Sequence, residues 1–286
     1  MSHDPAHFAS WEDAVAWLVS QPDKQDIVQA GYYDSPLIGA ATRFWHSAEW
    51  TSVRTYLPTR KGTALDVGAG RGIASFALAK DGWKVTALEP DPSSLVGTGA
   101  IKSLASETSL PISVTQEFGE RLPFPDASFD LVFARQVLHH ARDLSKLCSE
   151  ISRVLRPGGT FIAVRDHVLQ KKSHLQRFLD SHPLHHLYGG ENAYLLSEYR
   201  QAIADAGLVV DKMLRSFETQ IHYDLEQIGD IRTKIEQRMQ KIPLGKPLAS
   251  ALLTDRTLRV ALKVFARFDA RPGSAVSFIC HKPGNS

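Results

Sequence analysis

Thr63-Ala64-Leu65-Asp66-Val67-Gly68-Ala69-Gly70-Arg71-Gly72 decides how this chain is read: an apolar run carrying a carboxylate, then glycines at every second position. Ala64, Leu65 and Val67 read as a buried strand. The glycines let the backbone turn sharply and let a ligand approach, because no Cβ intervenes. The segment after Gly72 reads as a helix to Lys80, whose start offers free N–H groups and a partial positive charge. Strand, turn and helix in this order put Asp66 at a strand end, where it can accept hydrogen bonds from an amine or hydroxyl.

Trp83 to Leu88 reads as the next strand and ends at Glu89. A carboxylate about 20 residues past the glycines is where ribose hydroxyls are held in nucleotide-binding α/β folds. Gly-x-Gly-x-x-Gly would favour a dinucleotide, but the spacing here is Gly68-x-Gly70-x-Gly72, preceded by Asp66. This resembles the first motif of the class I S-adenosylmethionine-dependent methyltransferases. Three further pieces are similar to that family. Leu122-Pro123-Phe124-Pro125-Asp126-Ala127-Ser128-Phe129-Asp130-Leu131-Val132 resembles the run into strand four. Val137-Leu138-His139-His140 resembles the segment after it, and Leu155-Arg156-Pro157-Gly158-Gly159 the turn before strand five.

The resemblance covers about residues 60 to 167. It implies S-adenosyl-L-methionine as cofactor, with Asp66 at the methionine end, Gly68, Ala69 and Gly70 against it, and Glu89 and Pro90 at the ribose. One departure concerns adenine. Where the family usually has Asp or Asn followed by Ala, this chain has Phe118 and Gly119, flanked by Glu117 and Glu120. Gly119 keeps its N–H, the Phe118 ring is placed to pack on adenine, and Glu117 or Glu120 is left to supply the polar contact. Arg135, with Gln136 beside it, holds the position whose backbone usually faces the cofactor.

Strands expected at 63–67, 84–88, 112–115, 129–134 and 160–164 alternate with helices at 72–80, 92–106 and 143–155. This βαβ alternation means a mostly parallel sheet with helices on both faces and ligands at the carboxyl ends of the strands. A sixth strand is expected over 208–216 and a seventh over 275–280, which the resemblance makes antiparallel. The expected fold class is therefore α/β, a Rossmann-like doubly wound seven-stranded sheet, mostly parallel with the last strand antiparallel. A helical cap over 1–58 precedes the main domain, 59–286. Within that domain fall a lid or substrate loop, 167–195, and a helical insertion, 219–272, with helices expected at 224–241 and 248–267.

Composition narrows the partners. The 286 residues carry a formal net charge of +2, with lysines and arginines scattered, so nucleic acid is not expected. Two distant cysteines suggest neither a disulfide framework nor a zinc site and fit a reducing cytoplasm. The polar N-terminus lacks the pattern of a signal peptide, and no apolar run approaches the ~20 residues of a membrane span. Oligomeric state is left open.

The expected acceptor is a small, partly apolar molecule. Tyr32, Tyr33 and Trp45, in the aromatic N-terminal segment, are candidate walls of its pocket, as are His185, His186 and Tyr188 in the segment after strand five. His182-x-x-His185 is not a recognised zinc spacing, and no metal is expected. Because the methyl group is already activated on the cofactor, the protein's task is alignment and, for some acceptors, removal of a proton. Histidine titrates in the useful range, so His139, His140 and His167 are the candidate bases, with His167 preferred for its place at the end of strand five. Two alternatives stand beside methyl transfer: a non-catalytic protein that binds S-adenosylmethionine, and a dinucleotide-dependent oxidoreductase.

Overall fold

A computed structural model of the chain describes residues 8–223, 228–239, 254–269 and 271–284. Its sheet contains β1 (Thr63–Val67), β2 (Lys84–Leu88), β3 (Ile112–Thr115), β4 (Phe129–Arg135), β5 (Leu155–Leu169), β6 (Tyr194–Leu195), β7 (Val209–Arg215) and β8 (Ser274–His281). The spatial order is β3-β2-β1-β4-β5-β8-β7. β1 to β5 pair in parallel, and β8 runs antiparallel between β5 and β7. The chain winds outward in one direction from β1 to β3 and in the other from β4, so the switch point lies between β1 and β4.

Among the described residues there are eight strands instead of the expected seven. β5 runs on past Val164 to Leu169, and its extra edge pairs with the two-residue β6, Val168 opposite Tyr194 and Leu169 opposite Leu195.

Strand alternation sends side chains to two separate cores. Leu65, Val132 and Ala134 pack on one face against α7 (Leu144–Val154) and α10 (Leu196–Asp205). Ala64, Leu131 and Phe133 face the other side, where α3 (Leu37–Trp45), α4 (Ala48–Arg54) and α5 (Ile73–Lys80) supply Phe44, Trp50 and Leu78. Trp50 meets Phe133 edge-on, with ring centroids 5.8 Å apart. The helix after β2, α6 (Thr98–Thr108), starts later than its expected position at 92. Asp91 closes a turn first, its Oδ1 accepting from Ser93 N at 2.7 Å, and a Cβ at Gly97 would strike the Asp91 carbonyl.

The expected cap divides in two. α3 and α4 belong to the sheet's core, whereas α1 (Trp11–Ser20) and α2 (Gln25–Ala30) form a separate layer. Ser10 caps α1 by accepting from Asp13 N, and Glu12 anchors it to the loop after β2 by accepting from Leu95 N at 3.0 Å. The expected loop 167–195 is largely helical: it contains α8 (Leu175–Ser181) and α9 (Pro183–Leu187). Leu184 and Leu187 of α9 pack with Ala14, Leu18 and Val28, and Phe8 N donates to Leu187 O. The expected cap and lid thus share one small helical layer. Of the two helices expected before the last strand, Ile228–Met239 and Asp255–Ala266 are seen; positions 224–227, 240–253 and 270 lie outside the described residues. Among the described residues no helix is long and apolar enough to cross a membrane.

Candidate active site

A cleft of about 1300 Å³ opens at the carboxyl ends of β1, β2, β4 and β5, beneath α1 and α2. Six non-glycine residues have positive φ among the described residues, and four of them, Tyr32, Gln136, Arg165 and Phe217, line this cleft. Left-handed backbone costs an L-residue about 1–2 kcal/mol, so strain is concentrated where ligands would bind.

One side of the cleft is built around the glycine turn. Gly68 has φ +62°, and a Cβ there would sit 2.7 Å from Val137 Cγ2; Gly70 has φ +53° and faces open space. Asp66 is 1% exposed and accepts from Ser75 Oγ at 2.6 Å. Burial pushes its carboxyl up to about 7, opposed by the Ser75 bond and reinforced by the Glu89 charge. Glu89 accepts from Gly70 N at 2.7 Å and Asp91 N at 3.0 Å, so backbone fixes its carboxylate across the turn. Burial raises its pKa as well, against those two bonds. Gly68, Ala69, Gly70, Pro90, Phe118, Gly119, Glu120, Arg135 and Gln136 line the same cleft. Phe118 is 55% exposed, leaving its ring open to a planar partner. Glu120 is occupied in accepting from Arg142 N at 2.9 Å, and Glu117 caps Phe118 N. A Cβ at Gly119 would press on Leu147 at 2.7 Å, so this position is held small by packing.

Arg135 is a buried ion pair rather than a surface cation. Its Nε donates to Glu49 Oε1 at 2.7 Å and Nη2 to Oε2 at 3.1 Å, with the Glu49 side chain 1% exposed. Burial opposes the Glu49 charge, but Arg135 and Arg165 outweigh it and hold the carboxyl below its ordinary value. Glu49 was absent from the sequence reading. Its signal is a carboxylate one helical turn before buried Val53 and adjacent to buried Trp50. Arg71 was missed too: it ties the glycine turn to the N-terminal segment by donating to Tyr32 O at 2.7 Å.

The acceptor side gathers residues from distant segments. His139, 1% exposed, donates from Nδ1 to Asp166 Oδ1 at 2.9 Å, and its backbone N–H donates to the same oxygen at 3.1 Å. Its Nε2 lies 3.7 Å from Glu191 Oε2. Burial would lower its pKa, but Asp166 and Glu191 raise it to about 9. His140 donates from Nδ1 to Gly190 O at 3.0 Å; burial and then the His139 charge lower its pKa. His167 donates from Nδ1 to Gly273 O at 2.9 Å, and burial followed by the His139 charge lowers it to about 3. Glu191 is brought down to about 2: burial opposes this, while contact with His139 and the charges of His140 and His182 dominate. Tyr33, pushed up to about 12 by burial and then by the Glu191 charge, keeps its proton.

Tyr32, Tyr33 and Tyr188 line the cleft, and Trp11 joins them, its ring 5.9 Å from those of Tyr33 and Tyr188. Three expected wall residues lie elsewhere. Trp45 donates from Nε1 to Asp81 Oδ1 at 2.7 Å, because α3 turns that face toward α5. His186 donates to Asp180 O at 2.9 Å within the α8–α9 hairpin, and neither it nor His185 reaches the cleft. On α9 the cleft is met by Leu184 and, one turn on, Tyr188, so His185 and His186 lie off that face; His182 lines the cleft from extended backbone ahead of the helix.

With this geometry, the comparisons are informative. Residues 65–163 match the model of a methyltransferase domain. A ubiquinone biosynthesis O-methyltransferase of Methylobacterium sp. (strain 4-46) is 33% identical over 101 residues, which are 35% of this chain and 39% of that protein. A dimethylglycine N-methyltransferase of Parasynechococcus marenigrum (strain WH8102) is 36% identical over 103 residues, 35% of this chain and 36% of that protein. The match therefore spans well under half of these curated relatives. Geranyl diphosphate C-methyltransferase from Streptomyces coelicolor A3(2), solved with Mg²⁺, geranyl diphosphate and S-adenosyl-L-homocysteine, shares the fold. Its TM-score is 0.58 at 15% identity, over 99% of this chain and 91% of that one. Over residues 65–163 the chain is thus similar to methyltransferase domains, and its fold is that of solved methyltransferases.

Proposed function

We propose that this protein transfers a methyl group from S-adenosyl-L-methionine to a small, partly apolar acceptor held between the aromatic layer and the histidine cluster. The observation that carries this reading is the pair of buried carboxylates, Asp66 and Glu89, on either side of the glycine turn. A dinucleotide would bring its diphosphate to this turn beside the Asp66 carboxyl, which would repel it once ionised; a ligand with an ammonium group and ribose hydroxyls satisfies both acids. The residues present thus fit S-adenosylmethionine, whose sulfonium supplies an activated methyl group when bound.

In this reading Asp66 holds the amino end, and Glu89 and Pro90 flank the ribose. The Phe118 ring packs on adenine beside Gly119, with Glu120 bracing the segment, while Arg135 and Gln136 close the floor. Trp11, Tyr33 and Tyr188 exclude water and press the acceptor toward the methyl group. His140 and His167 each spend Nδ1 on a carbonyl, which leaves Nε2 unprotonated; of the two, His140 is the one placed to take a proton from an oxygen or nitrogen acceptor, because burial lowers His167 to about 3. His139, held through Nδ1 by the Asp166 carboxylate, orients that pair. Two buried, unpaired cysteines, Cys148 and Cys280, support a reducing cytoplasmic setting.

The test is calorimetric titration with S-adenosylmethionine and S-adenosylhomocysteine, followed by an acceptor screen. The parent should bind both, and Glu89→Ala should bind about 10- to 100-fold more weakly, as expected for lost charge-assisted hydrogen bonds. A folded parent that binds neither ligand would overturn the reading.

A further inference from the structure

The acceptor side of the cleft has a charge balance that methyl transfer alone does not require. Each of two imidazoles gives Nδ1–H to a group that can only accept: His139 to the Asp166 carboxylate and His167 to the Gly273 carbonyl. That fixes the orientation of both rings and turns each Nε2 away from those partners, and an incoming ion would displace the proton that His139 Nε2 carries in the metal-free protein. The rings lie with centroids 4.7 Å apart and inclined at 67°. The Glu191 carboxylate, its side chain 10% exposed, stands beside them, with its nearest approach to His139 Nε2 at 3.7 Å, longer than a direct hydrogen bond. Three potential ligand atoms therefore lie close together. One cation placed there would satisfy all three.

We propose that His139, His167 and Glu191 form the binding site of a divalent transition-metal ion. One ligand atom from each lies within 4.8 Å of the others. An ion with bonds of about 2.0–2.2 Å needs its donors about 3 Å apart, so the site closes by a movement of up to roughly 2 Å. Glu191 is the member placed to make it, since it follows Gly189 and Gly190, whose φ values are +87° and +78°.

Two independent features support the assignment. Asp166 behind His139 and the Gly273 carbonyl behind His167 are the outer partners that orient metal-bound imidazoles and fix their tautomer. His182 also brings a buried Nδ1 with no hydrogen-bond partner among the described residues to 3.8 Å from Glu191 Oε1. It is a ready fourth donor. Two or three nitrogens with one carboxylate select a borderline ion such as Zn²⁺, Co²⁺ or Fe²⁺ over Mg²⁺ or Ca²⁺. Three protein ligands at the wall of an open cleft leave a coordination position for an exogenous oxygen. On the methyltransferase reading, this narrows the acceptor to a molecule that offers a metal-binding oxygen beside the methylated atom.

The experiment measures the metal directly. The full chain, stripped with a chelator, is titrated with Zn²⁺ by calorimetry, with Co²⁺ by visible absorption, and with Mg²⁺ as the contrasting ion. S-adenosylhomocysteine binding is followed in parallel on the parent and on Glu191→Gln, His167→Asn and Asp166→Asn. The expected result is one Zn²⁺ or Co²⁺ per chain. Affinity should fall about 10- to 100-fold in Asp166→Asn and further in the two ligand variants, with S-adenosylhomocysteine affinity retained. A folded parent that takes up neither ion stoichiometrically, prefers Mg²⁺, or loses nothing in variants that still bind S-adenosylhomocysteine would overturn the metal site. Failure of the parent to bind S-adenosylhomocysteine while it binds Zn²⁺ would strike the methyltransferase reading and leave the metal site standing.

Discussion

The two sides of the cleft are constructed differently. The cofactor side is short-range: Asp66, Gly68, Gly70 and Ser75 lie within ten residues, and Glu89 reaches back to Gly70 N across one βαβ step. The acceptor side is long-range. His139 follows β4, Asp166 and His167 sit near the end of β5, Glu191 lies beyond α9, Gly273 precedes β8, and Trp11 and Tyr33 come from the first helical layer. The short-range side depends on backbone conformation, which a few residue types impose. The long-range side depends on where the sheet and the helical layer deliver side chains, so small changes in packing move it. One expected consequence is that acceptor choice can vary while cofactor binding is kept.

Glu49→Ala should show the largest effect, because it removes a long-range contact from the floor of the cleft. It leaves Arg135 buried without its bidentate partner, at a cost of about 3–5 kcal/mol, read by urea denaturation. A loss below about 1 kcal/mol would mean that Arg135 finds another partner and that this region is more self-sufficient than the comparison holds.

Asp66→Asn sharpens the short-range side through pH. Burial raises the Asp66 carboxyl from its ordinary 3.8 to about 7, so the folded protein binds a proton there that the unfolded chain has already released. Stability of the ligand-free protein should therefore decline as pH rises across that window, and Asp66→Asn should remove that part of the slope. A ligand ammonium prefers the ionised form. Affinity for S-adenosylmethionine should consequently climb, by up to about tenfold, as pH rises through the folded value, and stay flat in Asp66→Asn. Identical calorimetric pH profiles for parent and variant would remove Asp66 from the methionine end.

Trp45→Phe should have the smallest effect. It deletes one of several hydrogen bonds to Asp81, which retains Trp50 and Arg54, and should cost about 0.5–1.5 kcal/mol in thermal or urea unfolding. Methyl-transfer kinetics should not change, since Trp45 lies off the cleft. A fall in kcat at unchanged stability would reconnect α3 with the acceptor side.

The sequence by itself determined the central sheet and the cofactor side. Apolar runs of four to seven residues bounded by turns mark β1 to β4, and the Gly68-x-Gly70-x-Gly72 spacing marks a turn that positive φ requires. These are local signals, and local chemistry is what a linear reading contains. Only the tertiary structure decided which of the aromatic and histidine residues face the ligand. Extended backbone ahead of α9 put His182 at the cleft, Leu184 took the cleft-facing position on the helix in place of His185 and His186, and the Asp81 hydrogen bond drew Trp45 to α5. Glu49 and Asp166 acquire their importance from partners 86 and 27 residues away. A buried charge is defined by its surroundings, and those exist only once the chain has folded.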